Sequence, residues 1–266
     1  MDNIDNNELR IIFNIQEEKK KKLNINITDF ENFEKMYFID STRLHSIIES
    51  SNGYKISKLH TDIEYIIKRM DKVLLKIDEL YKEFDKSHNN DLMDDFTELT
   101  YLFVSYSYSI LMINNDELNV KYPINDFEKK RQKLFDNDGI HNIIIGVIRN
   151  SFHHGNLLHN KWLVKCNEKC CKLYITFNIE ELYILKDRDD KLRLKRKGID
   201  YIEECSGDID ISSLFSVYLE NVKEFFFWYK LNRYKTFKDD MDLYNKYMNH
   251  KKIIEDKIKF NGIKKS

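Results

Sequence analysis

The residues best equipped for chemistry in this chain lie in one run, Ile144-Ile145-Gly146-Val147-Ile148-Arg149-Asn150-Ser151-Phe152-His153-His154-Gly155-Asn156. An apolar stretch leads into Arg-Asn, and His-Gly follows after three intervening residues. A guanidinium is a permanent cation whose fork of donors matches the oxygens of a phosphate. Histidine gains or loses a proton near neutral pH, so it can serve as acid or base. Together they offer a fixed positive charge and a proton carrier. Other chemistries have no support: the chain holds no G-x-G-x-x-G, G-x-x-x-x-G-K-[ST], H-E-x-x-H or G-x-S-x-G pattern. Nucleotide-fuelled and serine-hydrolase mechanisms are therefore set aside.

The spacing by itself says little. With nine arginines and eight histidines in 266 residues, roughly 0.8 matches arise by chance. Requiring Asn after Arg and Gly after His lowers that to about one in a thousand, and the apolar helical lead-in tightens it further. The full pattern resembles the signature of the HEPN superfamily: an arginine, a polar residue that is often asparagine, and a histidine, with four to six residues between the arginine and the histidine. The resemblance implies a HEPN-like helical bundle and a metal-independent endoribonuclease, with RNA as its partner and no cofactor. In such enzymes the 2′-hydroxyl of the RNA is the nucleophile, and the products carry a 2′,3′-cyclic phosphate and a 5′-hydroxyl. Arg149 would stabilise the phosphorane-like transition state and His154 would transfer the proton. Asn150 would orient the histidine or the phosphate. His153, Asn156, His159 and Lys161 are the neighbouring residues expected to contact the RNA strand. Family association adds a toxin or defence role, with an antitoxin or regulatory protein as the partner class. The family also contains non-catalytic members that bind or regulate. A helical interaction protein, using its long seams for assembly, is the reading from another class.

Helix geometry bears on the assignment. On a straight α-helix Arg149 and His153 share a face, whereas His154 lies about 140° away. The family pattern selects His154, because His153 leaves only three residues between. The conflict eases if the helix unwinds at His154-Gly155, or if two chains build the site together. HEPN sites are typically composite, so a homodimer is expected.

A competing constellation lies just downstream: His153, His154, His159, Cys166, Cys170 and Cys171 fall within nineteen residues, and such groups can bind zinc. The adjacent pair Cys170-Cys171 departs from the usual Cys-x-x-Cys spacing. A hairpin turn through Asn167-Glu168-Lys169 accounts for Cys166 and Cys170 without metal, and no metal site is assigned.

The elements that must position the motif can be read from periodicity. Ile56, Leu59, Ile63, Ile66, Met70, Val73, Ile77, Leu80 and Phe84 alternate spacings of three and four, which marks a long amphipathic helix. Phe96, Leu99, Phe103, Tyr106, Ile110 and Ile113 form a second seam after a short polar break, so the two helices should pack as antiparallel neighbours. A third helix should start near Asn137 or Asp138 and end at Gly155, where a positive φ is expected. From Lys161 to about Lys195 the period changes. Trp162 and Val164, then Leu173, Ile175 and Phe177, alternate as strands do, and Tyr183–Leu185 with Leu192–Leu194 suggests a second hairpin. Trp162 should pack on the bundle. Helical pattern returns at Ile211, Leu214, Phe215, Tyr218, Val222, Phe225 and Tyr229, and a polar helix follows from about Asp239. Before residue 41 the pattern is ambiguous, apart from a short helix from Asp29. The reading is a mainly α chain, one helical domain over 1–266 with a β insertion at about 161–196.

Composition agrees. Seven glycines and one proline are few for a fold rich in turns. The 44 basic and 45 acidic residues nearly cancel, so RNA binding must rest on a local patch instead of a global field. Four cysteines, three of them close together, make no disulfide framework. The acidic start, Met1-Asp2-Asn3-Ile4-Asp5, lacks the pattern of a signal peptide, and no apolar run is long enough to span a membrane. A cytoplasmic protein without membrane contact is expected.

Overall fold

The computed structural model describes residues 26–115, 122–136, 139–153, 160–166, 171–177, 181–182, 194–205 and 209–260. In chain order the helices begin with α1 (Phe30–Ile39), α2 (Ser41–Ser50), α3 (Asn52–Ser87), α4 (Leu92–Asn115) and α5 (Phe127–Arg131). Two π-helical stretches follow, π1 (Gln132–Asp136) and π2 (Asn142–Arg149), the second continued by α6 (Asn150–His153). Then come strands β1 (Asn160–Cys166) and β2 (Cys171–Phe177), and helices α7 (Arg196–Glu204), α8 (Ile211–Thr236) and α9 (Lys238–Phe260). Among the described residues the fold is mainly α with one small antiparallel hairpin. Among the described residues no helix is long and apolar enough to cross a membrane.

Contacts gather the chain into two compact units, one up to Ser57 together with the residues from Phe237 on, the other Lys58–Thr236. In the smaller unit, Asp29 caps α1 by accepting the N–H groups of Glu31 and Asn32 at 3.0 and 3.2 Å. Asp40 does two jobs: its N–H closes α1 on the Met36 carbonyl at 2.8 Å, and its carboxylate accepts the Arg43 N–H of α2 at 3.0 Å. Short acidic side chains suit such positions because they satisfy amide groups that the helix leaves unpaired. Phe33, Met36, Leu44, Ile48, Tyr247 and Ile254 form this unit's core.

The larger unit is organised by the long seams. From Leu59 to Phe84 every expected position on α3 is buried or packs against the core. His88, at φ 53°, adopts the left-handed conformation and ends α3, its N–H reaching the Phe84 carbonyl at 2.8 Å. Only residues 88–91 separate α3 from α4, and Tyr81 packs edge-on against Phe96 at this corner. All seven expected positions of α8 are buried, and Phe215 stacks on Phe103 of α4 with ring centroids 4.1 Å apart.

The hairpin pairs Trp162 with Ile175 and Cys166 with Cys171, so Cys171, not Cys170, stands across from Cys166. Its docking is polar. The Tyr81 hydroxyl accepts the Ile175 N–H at 2.7 Å and donates to the Asp210 carboxylate. Asp210 in turn caps α8 through the Ser213 N–H at 2.9 Å. Burial, reinforced by the neighbouring carboxylate, raises the Tyr81 pKa. Trp162 packs on the bundle, as expected, but on one side only. It touches the Phe84 ring at 5.6 Å yet stays 44% exposed, because a two-stranded ribbon cannot enclose so large a side chain. The expected second hairpin lies mostly outside the described residues. Leu194 is described, and it is a buried residue preceding α7, not part of a strand.

The motif helix begins at Ile140, after Gly139, whose carbonyl accepts the Ile143 N–H at 3.1 Å. The expected caps, Asn137 and Asp138, lie outside the described residues. Gly139 sits at φ 78°, and a Cβ there would come within 2.2 Å of the Lys197 carbonyl oxygen. Both conformation and space demand glycine. Gly139→Ala is expected to destabilise the larger unit by about 3 kcal/mol, read as a lower urea midpoint. An unchanged midpoint would show that this junction yields freely.

Candidate active site

Ile143, Ile144, Ile145, Val147, Ile148 and Phe152 of the motif helix are all buried. A helix apolar on most sides must be enclosed by neighbours, here α4 on one flank and α7 on another. Asn142 joins it to the start of α7 by accepting the Lys195 N–H at 2.8 Å. Gly198 of α7 provides the clearance, since a Cβ there would lie 2.8 Å from the Asn142 side-chain oxygen.

The winding differs from expectation. Asn142–Arg149 is π-helical, and α-helical winding resumes only at Asn150. π-helical turns are uncommon and occur frequently at functional sites. Here the change of winding has a local consequence: the side-chain amide of Asn150 donates to the Gly146 carbonyl at 3.1 Å. The other end of that amide accepts a hydrogen bond from Arg149 Nη1 at 2.9 Å. The Arg149 guanidinium also lies over the Tyr108 ring, 3.6 Å from its centroid, close enough for a cation–π interaction. Asn150 is thus engaged with the arginine and with the helix backbone.

Tyr108 belongs to a second face of α4. Tyr101, Val104 and Tyr108 follow spacings of three and four, with Val104 buried. Tyr101 packs on Phe152 and Tyr108 on Arg149, so α4 and the motif helix run in opposite directions. Sequence reading concentrated on the Phe96–Ile113 seam and passed over this stripe, although its spacing was visible.

The arrangement supplies a half-buried cation, stacked on one ring and held by one amide, with no carboxylate pairing it among the described residues. Such a group is suited to an anion. His153 closes α6 and is exposed, and Lys161 is exposed on β1. His154, Asn156 and His159 lie outside the described residues, as does Cys170 of the cysteine–histidine cluster. The structure therefore brings Arg149 and Asn150 together and adds Tyr108. No protein-family model, curated protein or solved structure matches the chain.

Proposed function

We propose that this chain is a HEPN-type, metal-independent endoribonuclease in which Arg149, Asn150 and His154 form the catalytic motif. One observation supports the reading above the others: the Arg149 guanidinium is held by Tyr108 and Asn150 without a carboxylate partner among the described residues. A cation fixed in advance stabilises developing negative charge without reorganising during the reaction. In the proposed step the 2′-oxygen of the RNA attacks the adjacent phosphorus, the O2′–P bond forms and the P–O5′ bond breaks. His154 carries a proton between these oxygens and solvent, while Arg149 bears on the phosphorane. The ends left are a 2′,3′-cyclic phosphate and a 5′-hydroxyl. Asn150 and Tyr108 position Arg149.

The proposal includes a homodimer in which two motifs share a cleft. Residues 150–153 are α-helical, which puts His153, four residues on, at the same face as Arg149; in the proposed dimer His154 of one chain works with Arg149 of the other. A toxin or defence role in the cytoplasm, restrained by an antitoxin or regulatory protein, completes the reading.

The test uses purified full chain, total RNA and excess chelator. Cleavage should persist, its products should carry cyclic phosphate ends, and a 2′-deoxy at the cut site should protect the substrate. Loss of cleavage on chelation would sink the mechanism. Binding without cleavage would favour a non-catalytic RNA-binding or regulatory HEPN protein.

A further inference from the structure

The smaller unit holds a cavity of about 720 Å³, within the size range of clefts that bind small molecules. Its rings come from three helices: Tyr37 and Phe38 of α1, Tyr54 of α3 and Tyr244 of α9. Tyr37 meets Phe38 edge-on at 5.5 Å, and Tyr54 meets Tyr244 edge-on at 6.1 Å. Phe38 is 62% exposed, a large apolar ring that the unit's own packing leaves in water. Such a ring is available for stacking.

Among the described residues the charged side chains that line the cavity are basic. These are His45 and Lys251, and no Asp or Glu among the described residues lines it. Glu49, just outside the lining, engages His45 at 3.1 Å and accepts a hydrogen bond from the Tyr54 hydroxyl at 3.3 Å. Elsewhere in the unit Lys257 pairs with Glu34 at 3.0 Å and Lys238 pairs with Asp242. Lys251 is half-buried and has neither a carboxylate nor a hydrogen-bond partner among the described residues. Tyr244, Met248 and Lys251 follow spacings of four and three along α9 and all line the cavity, so the ammonium continues the ring-bearing face.

These features select among ligand classes. A metal ion or organic cation finds no carboxylate among the described lining residues, and Glu49 beside them is taken by His45 and Tyr54. A purely apolar ligand would cover the ammonium without pairing it, which is costly. A planar ring joined to an anion satisfies both, because stacking on aromatic rings tolerates any base and a lysine takes phosphate as a point charge. We propose that this cavity binds a free nucleoside phosphate, with the base against the Tyr37–Phe38 and Tyr54–Tyr244 rings and the phosphate on Lys251. The site shares no residue with the Arg149 motif and stands whether or not the chain cuts RNA.

Calorimetric titration of the full chain with AMP, ADP and ATP, and separately with adenosine and inorganic phosphate, tests it. The nucleotides should bind, and the two half-ligands should each bind at least about ten-fold more weakly. Phe38→Ala should weaken nucleotide binding by about ten-fold, as expected for loss of a stacking ring. Lys251→Glu should weaken it by a similar factor or more. Phe38 and Lys251 are not core residues, so both variants should keep the parent's circular dichroism and melting profile. Arg149→Ala should leave binding unchanged. The proposal is overturned if no nucleotide binds up to roughly 1 mM, if only an RNA strand binds, or if Arg149→Ala removes binding that the Phe38 and Lys251 variants retain.

Discussion

Arg149→Ala and His154→Ala are each expected to lower RNA cleavage by about 10²- to 10⁴-fold, the range for losing a preorganised donor or a general acid–base group. The double variant should be little worse than either single one, because in the proposed mechanism both residues act on one transition state. His153→Ala should be milder, since it falls outside the motif spacing. The contacts of Arg149 add a finer expectation. Tyr108→Phe keeps the ring face under the guanidinium and should retain most activity. Tyr108→Leu removes that face and should lower kcat more than it raises KM, because a misplaced cation is felt mainly in the transition state. Arg149→Ala also gives up packing on Tyr108, so some loss of stability should accompany its loss of cleavage. Single-turnover cleavage of a labelled RNA separates these effects. Full activity in His154→Ala would require abandoning the mechanism, and equal behaviour of the two Tyr108 variants would remove the ring from it.

The second large effect concerns pH and stability. His60 of α3 is buried, with its ring edge-on to Phe226 and Tyr229 of α8. Burial lowers its pKa from 6.5 to about 4, with Arg233 and Lys230 adding to the shift and Glu64 opposing it. The folded state therefore keeps the imidazole neutral where the unfolded chain would protonate it. Between pH 6.5 and 4 the unfolded state binds more protons, so stability falls as pH falls. Above pH 6.5 the contribution is fully present; below pH 4 it is lost, and the difference is about 3 kcal/mol. His60→Leu should remove this share of the acid sensitivity. Urea unfolding of parent and variant at pH 7 and pH 4 isolates it, because the carboxylates titrate alike in both proteins. Parallel pH dependence in the two would show that His60 is not the group responsible.

Fold class was legible because burial in long helices leaves a periodic trace in the chain itself. The α3 positions from Leu59 to Phe84 and the α8 positions from Ile211 to Tyr229 could be placed from spacing alone, since each lies on one face and meets one core. The Arg149-Asn150 pair stood out for the same reason: both residues sit at the end of an apolar run that has to be helical. Three features followed from tertiary structure. Tyr108 could not be connected to Arg149 from the sequence, because forty residues separate them and only the packing of α4 on the motif helix brings ring and guanidinium together. The π-helical winding was equally hidden, since π- and α-helical turns share the same apolar composition and differ only in how enclosure sets the backbone hydrogen bonds. The left-handed Gly139, pressed against the Lys197 carbonyl, depends on α7, which arrives almost sixty residues later. Periodicity records which face of an element is covered, but not what covers it. The chain by itself therefore determined the helices and the motif, and the packing of helices distant in sequence decided how the arginine is held.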